Sequence, residues 1–214
     1  MHPRLTRRGL YAITDGPRPD LLSAVEAVLR GGAVLLQYRD KTLDAERRLR
    51  EARALRALCG RYGASLMVND DVELAFAVGA DGVHLGEDDV GIAQARERLG
   101  TDAIIGVSCY DSLERARQLA AVGADYLAFG AFFASPTKPH ARRATLDQLR
   151  EAKPLGLPLV AIGGITPDNA QPLIDAGADF LAVISGVFGG PDPFGNAERY
   201  KKLFLATDCT DERG

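Results

Sequence analysis

The sequence has little cysteine and no long apolar run. Cys59, Cys109 and Cys209 are its three cysteines. Their odd number and their spacing fit a reducing compartment better than a disulfide framework or a metal cluster. No apolar stretch approaches the roughly 20 residues of a membrane span, and the basic segment Met1–Gly9 is followed by no apolar signal region. We therefore predict a cytoplasmic protein with no membrane partner.

An excess of basic charge is also absent. The chain has 26 Lys and Arg against 29 Asp and Glu, for a formal net charge of −3. A nucleic-acid partner is therefore not expected, and any basic cluster must be local. With 214 residues and 46% hydrophobic content, the chain can build one sizeable core. We predict a single domain over residues 1–205 and a disordered tail over 206–214.

A short phrase, a Gly-Ala step followed by an apolar run, recurs four times. The glycines of these phrases are separated by 47, 44 and 54 residues, which is too long for one strand and one helix. A second strand-like run lies between each pair of phrases, and helical patterns such as 44–62 and 112–122 fill the gaps. Each repeated glycine stands where a helix would end. The phrases are GGAVLLQ, VGADGVHL, VGADYLAF and AGADFLAV.

This alternation of strand and helix indicates an α/β protein. The strands are apolar on both faces, which is typical of a parallel sheet covered by helices. Eight units of about 27 residues each predict a (β/α)8 barrel of the TIM type. The alternative is an open, doubly wound sheet, but no Gly-x-Gly-x-x-Gly turn follows the first strand, as a dinucleotide site would need.

Two cations follow the second predicted strand. In a barrel the active site lies at the carboxyl ends of the strands. Gln37, Arg39 and Lys41 share one face if the strand runs through them, so that the two cations project inward. A polyanion such as a diphosphate suits that arrangement. The alternative is that both are rim charges that pair with Asp40 and Asp44.

Acidic residues follow the third and fourth strands. Asp70 ends the third strand, and Asp88 and Asp89 follow the fourth. Carboxylates from neighbouring strands can share one hard cation, and Mg²⁺ is the natural candidate because it prefers few protein carboxylates plus phosphate oxygens. The alternative for each residue, and for Asp71, is that it caps the helix that follows.

The last two predicted strands end in small residues. Gly163 and Gly164 follow strand seven, and Ser185 and Gly186 follow strand eight. Barrels often hold a phosphate there, on backbone N–H groups and a helix N-terminus. A tight turn before the helix that Pro167 opens would explain the first glycine pair alone. The strand ends therefore predict a diphosphate with Mg²⁺ on one side and a monophosphate on the other.

The order and spacing of these motifs resemble the thiamine phosphate synthase family over nearly the whole chain, from Tyr11 to Gly186. The segments that carry the resemblance are YAITD, QYRDK, ND at Asn69, DGVHLGEDD, GVS, SPTK, IGGI and VISG. The chain departs from the family at Glu87, where glutamine is usual, and at Ala134, where proline is common. His84 lies within the fourth motif, and we expect it to be a hydrogen-bonded core residue.

The resemblance implies two small phosphorylated substrates and one Mg²⁺ per active site. The implied contacts of the pyrimidine diphosphate are Gln37, Tyr38, Arg39, Asp40, Lys41, Asn69, Ser108 and Lys138. The implied metal ligands are Asp70 and Asp89. The implied contacts of the thiazole phosphate are Ser135, Pro136, Thr137, Gly164, Ile184 and Ser185. Catalysis is assigned by the same resemblance to Arg39, Lys41, Ser108 and Lys138.

In such enzymes the diphosphate leaves the pyrimidine methylene with much carbocation character, and the thiazole nitrogen then attacks that carbon. No side-chain nucleophile is required, although Cys109 sits at a strand end. Three alternatives stay open: a thiazole tautomerase, a non-catalytic phosphate sensor, and a phosphosugar isomerase or epimerase, which would need a positioned base. The sequence also leaves open whether the chain forms homo-oligomers and whether the thiazole is carboxylated.

Overall fold

Residues 2–87, 91–134 and 142–211 are described by the computed structural model, with side chains through residue 206. They form eight strands that pair in parallel with their neighbours, in chain order, around a closed barrel. The predicted (β/α)8 barrel is confirmed, and the open sheet is excluded. The strands are β1 (Gly9–Ile13), β2 (Leu35–Tyr38), β3 (Ser65–Asn69), β4 (Gly82–Leu85), β5 (Ile104–Tyr110), β6 (Tyr126–Gly130), β7 (Leu159–Ile162) and β8 (Phe180–Val183).

Helices connect consecutive strands and cover the barrel. The two segments predicted to be helical begin at the side-chain caps Asp44 and Ser112. Short 3₁₀ helices cover Pro3–Leu5 and Lys153–Leu155. The α-helices are α1 (Leu21–Arg30), α2 (Ala45–Tyr62), α3 (Val72–Val78), α4 (Ile92–Leu99), α5 (Leu113–Ala121), α6 (Leu146–Ala152), α7 (Gln171–Asp175), α8 (Ser185–Phe188) and α9 (Pro193–Asp211). Among the described residues, no helix combines the length and apolar character of a membrane span.

The final helix is longer than the sequence suggested. The predicted boundary was residue 205, whereas α9 continues to Asp211. Tyr200 and Phe204 bury their rings against the core, which anchors the helix immediately before the predicted tail and lets its backbone hydrogen bonding continue. Residues 212–214 lie outside the described residues.

Two apolar layers hold the barrel together. Alternate strand residues point inward, where Tyr11, Leu35, Met67, Tyr126 and Phe180 are each at most 1% exposed. The residues between them point outward and form a larger cluster with the helices. This double burial explains why the strands read as continuous apolar runs, and it makes the barrel interior a packed core rather than a pore.

The aspartates of the repeated phrase hydrogen-bond to the backbone of the neighbouring strand. Asp81, Asp125 and Asp179 each precede an even-numbered strand and accept a hydrogen bond from a backbone N–H near the start of the preceding strand, at 2.8, 2.8 and 2.9 Å. The backbone N–H of each aspartate donates to the carbonyl of that same partner residue. The carboxylate therefore extends the strand pairing by one bond, and the repeat spans two strands and two helices.

The glycines of the phrase end helices, as predicted. The four repeated glycines adopt left-handed φ values of 105°, 62°, 97° and 109°, at or just after a helix C-cap. A residue with a Cβ would be strained in this conformation. They are Gly32, Gly79, Gly123 and Gly177.

The aspartate bonds predict a measurable loss of stability. In Asp125→Ala the N–H of Ile105 and the guanidinium of Arg96 lose a shared carboxylate partner. We expect the free energy of unfolding, measured by urea titration, to fall by about 1–3 kcal/mol. The control is Asp168→Ala, whose side chain is 85% exposed, and it should change stability by less than about 0.5 kcal/mol. Equal effects of the two substitutions would contradict this role.

Candidate active site

Three of the predicted polar residues face the barrel interior from the carboxyl ends of their strands. Gln37 and Asn69 each lie two residues after an inward-facing apolar residue, Leu35 and Met67 respectively. Ser108, on β5, belongs to the inward set by the same alternation. Gln37 is buried, whereas Asn69 and Ser108 are half-buried. The structure therefore brings these three side chains to one rim.

Arg39 and Lys41 reach the rim from a loop, not from the strand as the sequence pattern suggested. Strand β2 ends at Tyr38 because Thr14 takes over its hydrogen bonding. The Thr14 hydroxyl accepts from the Arg39 N–H at 2.8 Å and donates to the Arg39 carbonyl at 3.1 Å. Among the described residues, the Arg39 guanidinium has no hydrogen-bond or ion-pair partner, so it is available to a ligand.

The predicted alternative for the two cations, pairing with Asp40 and Asp44, is wrong. Arg47 pairs with both of these carboxylates, at 2.7 and 3.4 Å. Lys41 instead places its Nζ 3.2 Å from a carboxylate oxygen of Asp70. A predicted diphosphate contact and a predicted metal ligand therefore lie side by side.

The side chains of Tyr38 and Asp40 face the helical layer and not the barrel interior. The Tyr38 hydroxyl donates to Glu51 of α2 at 2.7 Å. The Asp40 carboxylate, which is 1% exposed, pairs with Arg47 and accepts from the Thr42 N–H at 2.8 Å. The prediction that these two residues contact the pyrimidine diphosphate stays a prediction, and their side chains do not point at the barrel mouth. Asp40 fixes the loop that carries the two cations.

The two aspartates after β3 have different roles. Asp71 caps α3, since its carboxylate accepts from the Leu74 N–H at 2.9 Å and from Arg48 at 2.9 Å. Asp70 adopts a left-handed φ of 64° and donates its N–H to the His84 carbonyl at 2.9 Å. Such a conformation is uncommon for a residue other than glycine and often marks a functional position. Because Asp71 performs the capping, the Asp70 carboxylate remains at the rim.

Several predicted residues lie outside the described residues. Within the described ranges, no group of three or more His, Cys, Asp or Glu is arranged to hold a metal ion, and the second predicted metal ligand is outside those ranges. The base of the loop that carries four of the predicted contacts is described: Ala131 accepts from the Ala144 N–H and donates to the Arg142 carbonyl, at 3.1 and 2.9 Å. The residues outside are Asp88, Asp89, Ser135, Pro136, Thr137 and Lys138.

Among the described residues, the ends of β7 and β8 combine tight packing with backbone donors that have no partner within their helix. Gly164 has a φ of 62°, and a Cβ there would lie 2.5 Å from the Ala134 carbonyl oxygen, so packing against the neighbouring loop accounts for this glycine. Helix α8 starts directly after Ile184. The N–H groups of Val187 and Phe188 donate to the Ile184 carbonyl, which leaves those of Ser185 and Gly186 without a partner within the helix and suited to an anion.

A chain of hydrogen bonds crosses the barrel below the rim. The Gln37 Nε2 donates to the Tyr11 hydroxyl at 2.8 Å, and the Tyr11 and Tyr126 hydroxyls are 2.8 Å apart. His84 joins Tyr126 through Nδ1 at 2.8 Å and Ser108 through Nε2 at 2.9 Å. The expectation that His84 is hydrogen-bonded in the core is confirmed. The two tyrosines were missed, although Tyr11 stands at an inward position of β1.

The cysteines at described positions are poor nucleophiles. Cys109 and Cys59 are fully buried, and burial raises the pKa of each thiol to about 12. A thiol needs its thiolate form to attack, so Cys109 is unsuited to covalent catalysis although it sits at a strand end.

The two departures from the family pattern, Glu87 and Ala134, are both exposed.

Fold and site together define an α/β-barrel enzyme with its active site at the carboxyl ends of the strands. The family model described as thiamine monophosphate synthase matches residues 10–187. The thiamine-phosphate synthase of Thioalkalivibrio sulfidiphilus is 57% identical over 201 residues, covering 92% of this chain and 95% of that protein. That of Halorhodospira halophila is 56% identical over 186 residues, covering 86% and 88%.

A solved structure gives the same assignment. The thiamine phosphate pyrophosphorylase from Pyrococcus furiosus superposes with a TM-score of 0.85 at 37% identity, covering 94% of this chain and 98% of that one. The chain belongs to the thiamine monophosphate synthase family. The predictions of an enzyme and of a transferase are thereby confirmed.

The Asp40 contacts predict a pH-dependent contribution to stability. Burial alone would raise the pKa of Asp40, but the hydrogen bonds from Thr42 and Arg47 outweigh it and lower the pKa. A carboxyl whose pKa is lowered by folding stabilises the fold above its unfolded pKa of about 3.9 and loses that effect as the pH falls through its folded value. Asp40→Asn should therefore lower the free energy of unfolding by about 1–3 kcal/mol at neutral pH and by less below about pH 4.

Urea titrations of wild type and variant at several pH values measure this difference. The matched control is Glu46→Gln, on the same helix–loop unit, whose side chain is 92% exposed. A difference between wild type and Asp40→Asn that does not change with pH would contradict the argument.

Proposed function

We propose that the protein catalyses the Mg²⁺-dependent condensation of a pyrimidine diphosphate with a thiazole phosphate. The first substrate is 4-amino-2-methyl-5-(diphosphooxymethyl)pyrimidine. The second is 4-methyl-5-(2-phosphoethyl)thiazole or its carboxylated form. The products are thiamine phosphate and pyrophosphate, and the carboxylated thiazole would also release CO₂. The predicted cytoplasmic location remains a prediction, because the described structure offers no test of it.

The pyrimidine half of the site is supported by the polar rim. Gln37, Asn69 and Ser108 offer uncharged donors and acceptors suited to a heteroaromatic ring. Arg39 and Lys41 stand at the same strand ends and supply the positive charge that a diphosphate requires. Lys138 is proposed as a third cation on the resemblance alone, since it lies outside the described residues.

The residues present fit Mg²⁺ as far as they are described. Asp70 presents a carboxylate at the rim that is not used as a helix cap, and its neighbour Lys41 would contact the same polyanion. Mg²⁺ commonly takes one or two carboxylates and completes its shell with water and substrate phosphate. Asp70 and Asp89 are the proposed ligands, and bound Mg²⁺ would supply positive charge to the departing diphosphate.

The thiazole half is proposed at the ends of β6, β7 and β8. The N–H groups of Ser185 and Gly186, which have no partner within α8, suit its phosphate. Gly164 stands beside them with its left-handed backbone. The proposed contacts are Ser135, Pro136, Thr137, Gly164, Ile184 and Ser185.

The chemistry needs charge stabilisation and alignment. The C–O bond between the pyrimidine methylene and the diphosphate breaks, and both electrons leave with the diphosphate. Arg39 and Lys41 stabilise that departing charge. Gln37 and Ser108 hold the ring, so that the lone pair of the thiazole nitrogen attacks the methylene carbon and forms the new C–N bond. No side-chain nucleophile takes part, consistent with the buried, protonated thiol of Cys109.

The observation that carries this proposal is the contact of Lys41 with Asp70. It places a cation for the diphosphate and a carboxylate for a metal 3.2 Å apart at the barrel mouth. A thiazole tautomerase or a phosphosugar isomerase would have no use for this pair. A sensor without turnover would retain it, so activity has to be measured.

The test incubates the purified protein with both substrates and Mg²⁺ and follows thiamine phosphate and pyrophosphate by chromatography. We expect equimolar products. EDTA should abolish them, because it removes the Mg²⁺ whose positive charge stabilises the departing diphosphate. Product that persists in EDTA would contradict the metal requirement. Binding of a substrate without product would favour the sensor or the tautomerase.

The metal site can be separated from the fold by two adjacent substitutions. Asp70→Asn should lower the rate of product formation by about 10²-fold or more and raise the Mg²⁺ concentration needed for half-maximal rate. Asparagine tolerates the left-handed backbone at this position, so the fold should persist. Asp71→Asn is the matched control, because asparagine also caps helices well. Similar losses in both variants would contradict Asp70 as a ligand.

A further inference from the structure

The hydrogen-bond chain inside the barrel joins two proposed contacts of the same substrate. One end is Gln37 on β2, and the other is Ser108 on β5. Between them stand three side chains from three other strands. These intervening residues are Tyr11 on β1, Tyr126 on β6 and His84 on β4.

The middle of this chain is held rigidly. The Tyr11 and Tyr126 rings pack edge to face, 5.9 Å apart, and His84 stacks on Tyr126 with its ring centroid at 5.6 Å. Gly106 makes room for this packing, because a Cβ there would lie 1.8 Å from the Tyr126 ring. Burial raises the pKa of both tyrosines, so that each hydroxyl keeps its single proton.

The orientation of the Gln37 amide, with Nε2 towards Tyr11, gives the chain its direction. Gln37 donates to the Tyr11 oxygen, which leaves the Tyr11 proton for Tyr126. The buried Tyr126 hydroxyl has no other acceptor among the described residues, so its proton is donated to Nδ1 of His84. A neutral His84 that accepts at Nδ1 carries its proton on Nε2 and donates it to the Ser108 oxygen.

This direction determines what the two ends offer to a ligand. Among the described residues, the side-chain amide oxygen of Gln37 (Oε1) and the Ser108 hydroxyl proton have no other partner, whereas the Gln37 backbone carbonyl accepts from the Thr14 N–H. The first is an acceptor and the second is a donor. Reversing either end would require every link between them to reverse as well.

We propose that the chain sets the donor and acceptor roles at Gln37 and Ser108 and so selects an amino-substituted pyrimidine over the corresponding oxo-pyrimidine. The inference rests on the proposed function, since it takes the pyrimidine to be the ligand between these residues. An exocyclic amino group donates to the Gln37 oxygen, and a ring nitrogen accepts from Ser108. The oxo form presents a carbonyl where the amino group was, facing an acceptor. Tyr11, Tyr126 and His84 are positioning residues.

The test compares the two pyrimidine diphosphates, amino and oxo, in wild type and in Tyr126→Phe. Binding of each is measured by calorimetry without the thiazole, and kcat/KM is measured with it. Wild type should prefer the amino form by at least about 10²-fold, because the wrong analogue leaves buried polar groups unpaired. Tyr126→Phe removes one hydroxyl and keeps the ring, and the preference should fall at least about tenfold.

Two further comparisons separate positioning from a general loss of structure. Tyr62→Phe removes a hydroxyl that donates to Glu26 outside the barrel, and it should leave the preference unchanged. His84→Gln retains a donor and an acceptor and should keep more of the preference than His84→Leu. Urea titration checks that each variant is folded. A variant that loses affinity for both pyrimidines equally would show a merely structural role and overturn the inference.

The outcomes also separate this inference from the proposed function. If wild type forms product but binds both pyrimidines equally, the inference fails and the function stands. If wild type forms no product but binds the amino form preferentially, and Tyr126→Phe loses that preference, the function fails and the inference stands. Binding of neither compound would overturn both.

Discussion

The pairing of β1 with β8 closes the barrel, and the site depends on that closure. Because Tyr11 stands opposite Ala182 as well as Leu35, every strand has two parallel neighbours and all carboxyl ends meet at one rim. The two ends of the barrel then differ in what their polar groups do. At the amino ends, the repeated aspartates use their carboxylates on the backbone of the adjacent strand. At the carboxyl ends, polar groups remain for a ligand.

The barrel interior changes character along its axis. Near the amino ends it is packed with apolar side chains such as Phe180 and Met67. Above them lie hydroxyl, imidazole and amide groups, and their burial would be costly without partners. The chain from Gln37 to Ser108 supplies those partners by linking each polar group to the next. The three interior members, Tyr11, Tyr126 and His84, are each bonded on both sides and hold one another rigidly, so the same bonds that make burial tolerable also hold the ends of the chain in place.

The sequence was sufficient to predict the fold and the rim that the described polar residues share, because both follow from local patterns. The glycine–alanine phrase marked helix ends and strand starts, and the strand ends carried polar residues. The sequence was insufficient where a contact between distant residues decides where a strand ends or which way a side chain points. Strand β2 ends at Tyr38, where Thr14 bonds to the backbone of Gln37 and Arg39, and Thr14 lies 25 residues before Arg39 in the chain. Asp70 and Asp71 are equivalent by capping pattern, and Tyr11 and Tyr126 meet only once the barrel closes.

The loop after β2 joins a fixed base to an exchangeable tip. Its base is the ion pair of Asp40 with Arg47, whose charged atoms are 2.7 Å apart. The Asp40 side chain is 1% exposed and that of Arg47 is 22% exposed. Removing one partner of a buried pair is costly, because the other charge remains buried. Its tip is the pair of Lys41 with Asp70, at 3.2 Å with 62% and 31% exposed. An exposed pair contributes about 0–1 kcal/mol, so the proposed diphosphate and metal ion would replace it at little cost. The loop can therefore hold Arg39 in place while Lys41 exchanges one anionic partner for another.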